Sequence, residues 1–160
     1  MSRTARCAGS VTTPPGHLRV LHVDDDPALL DLTAEFLERL DDRVTVRSET
    51  DPLTVLDRLD AETVDCVVSD VRMPRCDGFE LCRRIREEHP DLPVVLFTSE
   101  RGADVADRAE RAGATDHVVK APGVEQYEVL ADTIESAIQH GRTGESESES
   151  ETPSGTESTA

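Results

Sequence analysis

Lysine is almost missing from this chain: of 17 basic residues only Lys120 is a lysine, and the rest are arginine. An arginine-favouring, GC-rich codon usage accounts for that scarcity, but not for the place of the one lysine, at the end of the apolar stretch His117-Val118-Val119. Aromatic residues make up only 2% of the chain, and tryptophan is absent. The core must therefore be built from Val, Leu, Ile and Ala, as in a small parallel α/β sheet. Positive charge is also short, with 34 acidic residues giving a formal net charge of -17. That balance argues against nucleic-acid binding, which needs basic clusters, and against anionic membrane surfaces. No hydrophobic run approaches the ~20 residues of a membrane span. Residues 1–16 have no apolar leader segment, so a cytoplasmic location is expected. No glycine-rich phosphate loop follows any strand, which disfavours a nucleotide or flavin site. Cys7, Cys66, Cys76 and Cys82 lack paired zinc-type spacing. Cys66 and Cys82 fall at buried positions of a strand and a helix, whereas Cys76 lies in a loop where it could be exposed.

What is present is a regular alternation of elements. Leu18–Val23 is an apolar strand running into Asp24-Asp25-Asp26. Asp26-Pro27 starts a helix, with Asp as cap and Pro in the first turn, and Leu29, Leu32, Phe36, Leu37 and Leu40 mark its apolar side. Val44–Ser48 is a second strand. Asp51-Pro52 opens a second helix carrying Leu53, Leu56 and Leu59. Val64–Ser69 delivers Asp70, and a turn-rich loop with Pro74 and Asp77-Gly78 leads to a third helix with Phe79, Leu81, Cys82 and Ile85. Pro93–Phe97 ends in Thr98-Ser99. A polar helix over Asp104–Ala112, closed by Gly113, precedes the strand His117–Lys120. The last helix, Glu125–Gln139, presents Val129, Leu130, Ile134 and Ile138. Five strands alternating with five helices predict a doubly wound parallel sheet. The expected division is a disordered extension over 1–17, one domain over 18–140 and a disordered acidic tail over 141–160.

In such a sheet the strand ends share one crevice, so Asp24, Asp25, Asp70, Thr98 and Lys120 should meet there. Each has a plain explanation alone: a helix cap, a turn former, an edge hydroxyl, a surface lysine. Asp26 takes the capping role, worth ~1 kcal/mol. Asp24 and Asp25 remain beside Asp70, and carboxylates gathered so closely call for a cation. A carboxylate, a hard metal, a hydroxyl and a lysine suit acceptance of a phosphoryl group.

From Leu18 to His140 the sequence resembles the receiver domain of two-component response regulators. The resemblance rests on Val23-Asp24-Asp25-Asp26-Pro27, Ser69-Asp70-Val71-Arg72-Met73-Pro74, Asp77-Gly78, Thr98-Ser99 and Lys120. Gly113–Asp116 and Gln126–Ala131 are similar to haloarchaeal receivers in particular, as is the acidic, lysine-poor composition. At multimolar salt such self-repulsion is screened over roughly 3 Å or less. The resemblance implies a flavodoxin-like five-stranded sheet of order 2-1-3-4-5. It implies Asp70 as phosphoryl acceptor and Mg²⁺ held by Asp25 directly, by Asp24 mainly through water, by Asp70 and by the Arg72 carbonyl. Thr98 and Lys120 would bind phosphoryl oxygens, and His117 would occupy the switch position. It further implies a sensor histidine kinase as donor, a downstream protein as target and, in some members, a dimer formed on phosphorylation.

Three departures from the family pattern stand out. Ala121 separates Lys120 from Pro122, where proline usually follows the lysine directly. His117 replaces the usual Tyr or Phe. Arg72 and Glu100 could pair over the site and restrict attacking water. A stand-alone phospho-acceptor is the expected function, rather than an enzyme with a turnover of its own. Two other readings compete with it. One is a haloacid-dehalogenase-type phosphatase built on Asp24-x-Asp26, which lacks a later acidic pair. The other is a receiver-shaped binding module that never carries phosphate, against which the complete acid, hydroxyl and lysine set argues.

Overall fold

The computed structural model describes residues 16–147. Five strands, β1 (Leu18–Val23), β2 (Val44–Glu49), β3 (Cys66–Ser69), β4 (Val94–Thr98) and β5 (Asp116–Val119), form one sheet of order β2-β1-β3-β4-β5. All four pairings are parallel, with Val23 opposite Ser69, Ser69 opposite Leu96, and Thr98 opposite Val119. Five helices cover it: α1 (Pro27–Leu40), α2 (Val55–Ala61), α3 (Gly78–Glu88), α4 (Ala103–Ala112) and α5 (Glu125–Glu147).

Because side chains alternate along a strand, the sheet divides the core in two. Leu21, Val23, Val67, Val94 and Leu96 pack with Val55, Phe79, Leu81, Ile85, Val105 and Ala109 from α2, α3 and α4. Leu18, Val20, Cys66, Val68, Val95, Phe97 and Val118 pack with Leu37 of α1 and with Tyr127, Leu130, Ile134 and Ile138 of α5. Tyr127 stacks on Phe36 at 4.8 Å, pinning the start of α5 to α1.

The helix starts follow the capping chemistry. Asp26 accepts from the amides of Ala28 and Leu29, and Asp77 from that of Glu80 at 2.8 Å. Gly113 closes α4 at φ 92°, in the left-handed region where glycine alone is unstrained.

Several expectations need correction. After Asp51-Pro52 the chain makes a 3-10 turn over Pro52–Thr54, and the α-helix begins only at Val55. That turn leaves Leu53 47% exposed. In α1 the buried side is Leu30, Thr33 and Leu37, while Leu32 and Leu40 are 44% and 46% exposed. In α5 Val129 is 52% exposed, and buried Tyr127 takes its place against the sheet. Packing onto a twisted sheet selects one phase of each helix, and leucines next to that phase face outward. α5 also runs past Gly141 to Glu147, so the tail does not begin where composition changes. Propagation of a formed helix adds a hydrogen bond per residue, whereas a glycine costs only about 1 kcal/mol. The expectations for 1–15 and 148–160 lie outside the described residues. Cys66 and Cys82 are buried as expected, but Cys76 is buried too, because its loop folds under the α3 side of the core. Cys7 lies outside the described residues.

Candidate functional site

Asp24, Asp70 and Lys120 meet at the C-terminal edge of the sheet. β1 ends at Val23, and the Asp24 amide still bonds to the Glu49 carbonyl at 3.1 Å, so Asp24 leaves the strand in register. Its side chain is spanned by two donors: Oδ1 accepts from the Asp26 amide at 3.0 Å, and Oδ2 accepts from Lys120 Nζ at 3.1 Å. Asp70 follows β3 directly, its amide donating to the Val23 carbonyl at 3.0 Å. Asp70 Oδ1 accepts from the Val71 amide at 2.8 Å and lies 3.4 Å from Lys120 Nζ. Both interactions fall on one oxygen, so Oδ2 has no hydrogen-bond partner among the described residues.

The backbone beneath Asp70 is packed tightly. Ser69 Oγ donates to the Asp70 carbonyl at 2.8 Å, and the Gly78 amide donates to the Val71 carbonyl at 2.8 Å. A Cβ on Gly78 would lie 2.2 Å from the Asp70 carbonyl oxygen, so only glycine lets α3 begin so close to the acidic loop.

Lys120 lies just past β5, its amide donating to the Thr98 carbonyl at 2.7 Å. Its stem crosses Phe97, with Nζ 5.5 Å from the ring centroid, before reaching the two carboxylates. Thr98 is fully buried at the end of β4, and its hydroxyl oxygen accepts from the Glu100 amide at 3.1 Å. The hydroxyl proton is thereby left for another acceptor.

Burial pushes the Asp70 carboxyl above its ordinary value; Lys120 opposes that push and Asp24 adds to it. Asp24, Asp25 and Asp70 each offer an oxygen within 4.8 Å of the others. Three carboxylates against one ammonium leave two negative charges, which a divalent cation balances. The donors are all hard oxygens, and Asp25 is exposed, so a cation there could keep part of its water shell as Mg²⁺ does. The residues therefore fit a magnesium ion.

Among the other expected residues, Arg72 has an exposed side chain that pairs with Glu100, joining the loop after β3 to the loop after β4. His117 is half-buried in β5, opposite Leu96, with no hydrogen bond from its ring among the described residues. The described residues contain no cis peptide bond, Lys120–Ala121 included. Asp26 Oδ1 accepts from the amides of Ala28 and Leu29, the capping role expected of it. Gln126 opens a stretch similar to haloarchaeal receivers but was assigned no role in the site, yet it holds the loop after Lys120: its side chain accepts from the Ala121 amide and donates to the Gly123 carbonyl. In sequence, the only hint was the displaced proline.

A doubly wound sheet of this order with an acidic crevice at its C-terminal edge defines a class of α/β domains whose ligand sites lie at the strand ends. The family model of the response regulator receiver domain matches residues 20–132. The chain belongs to that family.

Among similar proteins, the protein-glutamate methylesterase/protein-glutamine glutaminase of Methylobacillus flagellatus is 33% identical over 128 residues, covering 75% of this chain and 36% of that one. The two-component response regulator ARR2 of Arabidopsis thaliana is 36% identical over 118 residues, covering 73% of this chain and 18% of that protein. The chain thus spans about a third or less of the length of these curated relatives. Among solved structures, a BeF3-activated DrrB receiver domain superposes with a TM-score of 0.65 at 28% identity, covering 77% of this chain and 98% of the other. A CheY-like receiver domain protein of Methanospirillum hungatei gives a TM-score of 0.70 at 22% identity, covering 80% and 98%, a likeness of fold.

Proposed function

We propose that this chain is a phospho-acceptor of two-component signalling, taking a phosphoryl group from a sensor histidine kinase onto Asp70. The observation that carries the reading is the state of that carboxylate: raised in pKa by burial, held through Oδ1 by an amide and an ammonium, and free at Oδ2. As Oδ2 bonds to phosphorus, the N–P bond of the donor imidazole breaks. Thr98 donates its hydroxyl proton to one phosphoryl oxygen. Lys120 turns from Asp70 to another, keeping Asp24 as its second partner.

Asp24, Asp25, Asp70 and the Arg72 carbonyl would hold Mg²⁺. When bound, the ion supplies the charge that lets three acidic side chains and a phosphoryl group share the crevice. Arg72 and Glu100, paired between the loops after β3 and β4, limit the approach of water to the acyl phosphate. The rearranged Lys120 and Thr98 draw β5 and His117 toward the site, shifting a two-state surface on α4 and β5 that a downstream protein reads. The half-buried, unpartnered ring of His117 supports its place as the switch residue. The acidic, lysine-poor surface supports a high-salt cytoplasm as the working environment.

The test is intact-mass measurement after incubation with acetyl phosphate and Mg²⁺ in concentrated salt, beside Asp70→Asn. The expected result is one added phosphoryl group, dependent on Mg²⁺ and absent from the variant. Labelling that persists in Asp70→Asn, or turnover of a phosphate ester, refutes it.

A further inference from the structure

The loop after Lys120 is held by one side chain. Gln126 Oε1 accepts from the Ala121 amide at 3.1 Å, and Gln126 Nε2 donates to the Gly123 carbonyl at 3.0 Å. A proline at 121 would have no N–H to offer, so the first bond exists because this chain has Ala121 after its lysine. On the other side of Lys120, its own amide donates to the Thr98 carbonyl at 2.7 Å. The Lys120 backbone is thus fixed between two hydrogen bonds, one to the sheet and one to Gln126.

Gln126 is itself well anchored. The next residue, Tyr127, is 2% exposed, and its ring stacks on Phe36. The first turn of α5 therefore cannot drift relative to the sheet without unpacking that pair. Between these fixed points lie Pro122 and Gly123, the latter at φ +89° with open space around its α-carbon. Among the described residues, no other side chain hydrogen-bonds to that stretch.

We infer that Gln126 is a positioning residue for Lys120: its amide replaces, by two hydrogen bonds, the rigidity that a proline after the lysine would give. The inference rests on the phospho-acceptor reading for its consequence, but not for its structural content. A lysine side chain has four rotatable methylenes, and holding Nζ between Asp24 and Asp70 requires a fixed starting point. Making both bonds takes an amide, which accepts at one end and donates at the other, but the bond that fixes Lys120 is the one accepted from the Ala121 N–H. Glutamate retains the acceptor for Ala121 and loses the donor, whereas methionine loses both at nearly the same volume.

The single lysine makes the experiment direct. Protein grown on lysine labelled with ¹³C at Cε gives one side-chain methylene signal, from Lys120. In Gln126→Met the order of that methylene falls, and acetyl phosphate labels Asp70 about tenfold more slowly, the loss expected for one net hydrogen bond. Mg²⁺ affinity, measured by calorimetry with the metal alone, stays at the wild-type value. Gln126→Glu recovers most of the Lys120 order and of the labelling rate. Wild-type Lys120 order in Gln126→Met overturns the inference. Equal losses in the Met and Glu variants, tracking only their melting temperatures, also overturn it. If acetyl phosphate fails to label even the wild type, the functional reading falls, and the methylene signal still decides the role of Gln126.

Discussion

Gly78→Ala asks how far the proposed acceptor depends on one absent methyl group. The added Cβ would lie 2.2 Å from the Asp70 carbonyl oxygen and 2.9 Å from the Val71 Cα, where ordinary contact begins at 3.4 Å. Both neighbours are backbone, so no side chain can swing aside, and the junction must open by about 1 Å. The Gly78 amide to Val71 carbonyl bond, 2.8 Å long, closes that junction and is lost or stretched as it opens. Overpacking costs ~1–3 kcal/mol and the hydrogen bond about 1 kcal/mol more, a destabilisation of roughly 2–4 kcal/mol. For a domain of this size the melting temperature should fall by roughly 6–20 °C.

The functional effect is larger than the loss of stability alone would give. Asp70 moves with its carbonyl, and a displacement of about 1 Å can slow reaction about a hundredfold. Labelling by acetyl phosphate should be followed by intact mass at a temperature where circular dichroism shows both proteins folded. Gly102→Ala is the control: its Cβ meets nothing within 4 Å, so it carries only the strain of φ +111°. That strain, at ψ 167°, costs ~1–3 kcal/mol and leaves the Asp70 labelling rate near wild type. A Gly78→Ala protein that melts and labels like the wild type refutes the reasoning. One that is destabilised but labels normally shows that the α3 start does not set the position of Asp70.

Arg72→Ala removes the ion pair with Glu100; on the proposed shielding role the phosphorylated protein should lose its label faster, by up to about fivefold for an exposed pair, and equal decay rates reject that role. His22 is buried in β1 with neither ring nitrogen hydrogen-bonded, and burial, aided by Lys120, lowers its pKa to about 3. The folded protein keeps this ring neutral while the unfolded chain takes up a proton below about 6.5, so its stabilising effect is complete above that pH and is lost as pH falls. From pH 7 to pH 5 the wild type should lose about 2 kcal/mol more than His22→Leu in urea melts, and parallel losses contradict the assignment. Burial pushes the Cys82 thiol up to about 11 and also raises Cys66 and Cys76, so none of the three should be alkylated in native protein at pH 8. Rapid modification of Cys76, mapped by peptide mass, would place its loop outside the core.

Four strands were legible because a sheet covered on both faces is apolar along its length and each such run here stops at a polar residue, whereas the edge strand β2 showed only alternation. Asp24, Asp70, Thr98 and Lys120 are those stops, which made the crevice legible as well. Helix faces were less so. The leucines of α1 occur on more than one side, and composition does not say that Thr33 rather than Leu32 turns inward. The burial of Cys76 depends on how the loop after Asp70 folds back under Phe79, a tertiary event with no periodic signal. The same holds for Gln126, whose two bonds join residues within a turn of each other but need the Tyr127 anchor to form in that place.

What links the acidic crevice to the rest of the molecule is the reach of one ammonium. Asp24 stands at the end of β1 and Asp70 at the end of β3, whereas Lys120 comes from beyond β4, at the edge strand β5. Its contacts therefore span the sheet between strands that are not neighbours. In a low-dielectric crevice those contacts are strong, and any new anion bound to Asp70 must compete for the same ammonium. A change in charge at β3 is then felt first at β5 and in the loop that Gln126 holds. The edge of the sheet is also where a strand has one neighbour instead of two, so it yields at lower cost than the centre. The proposed signal thus leaves the acceptor through Lys120 rather than through the strands that carry the acids.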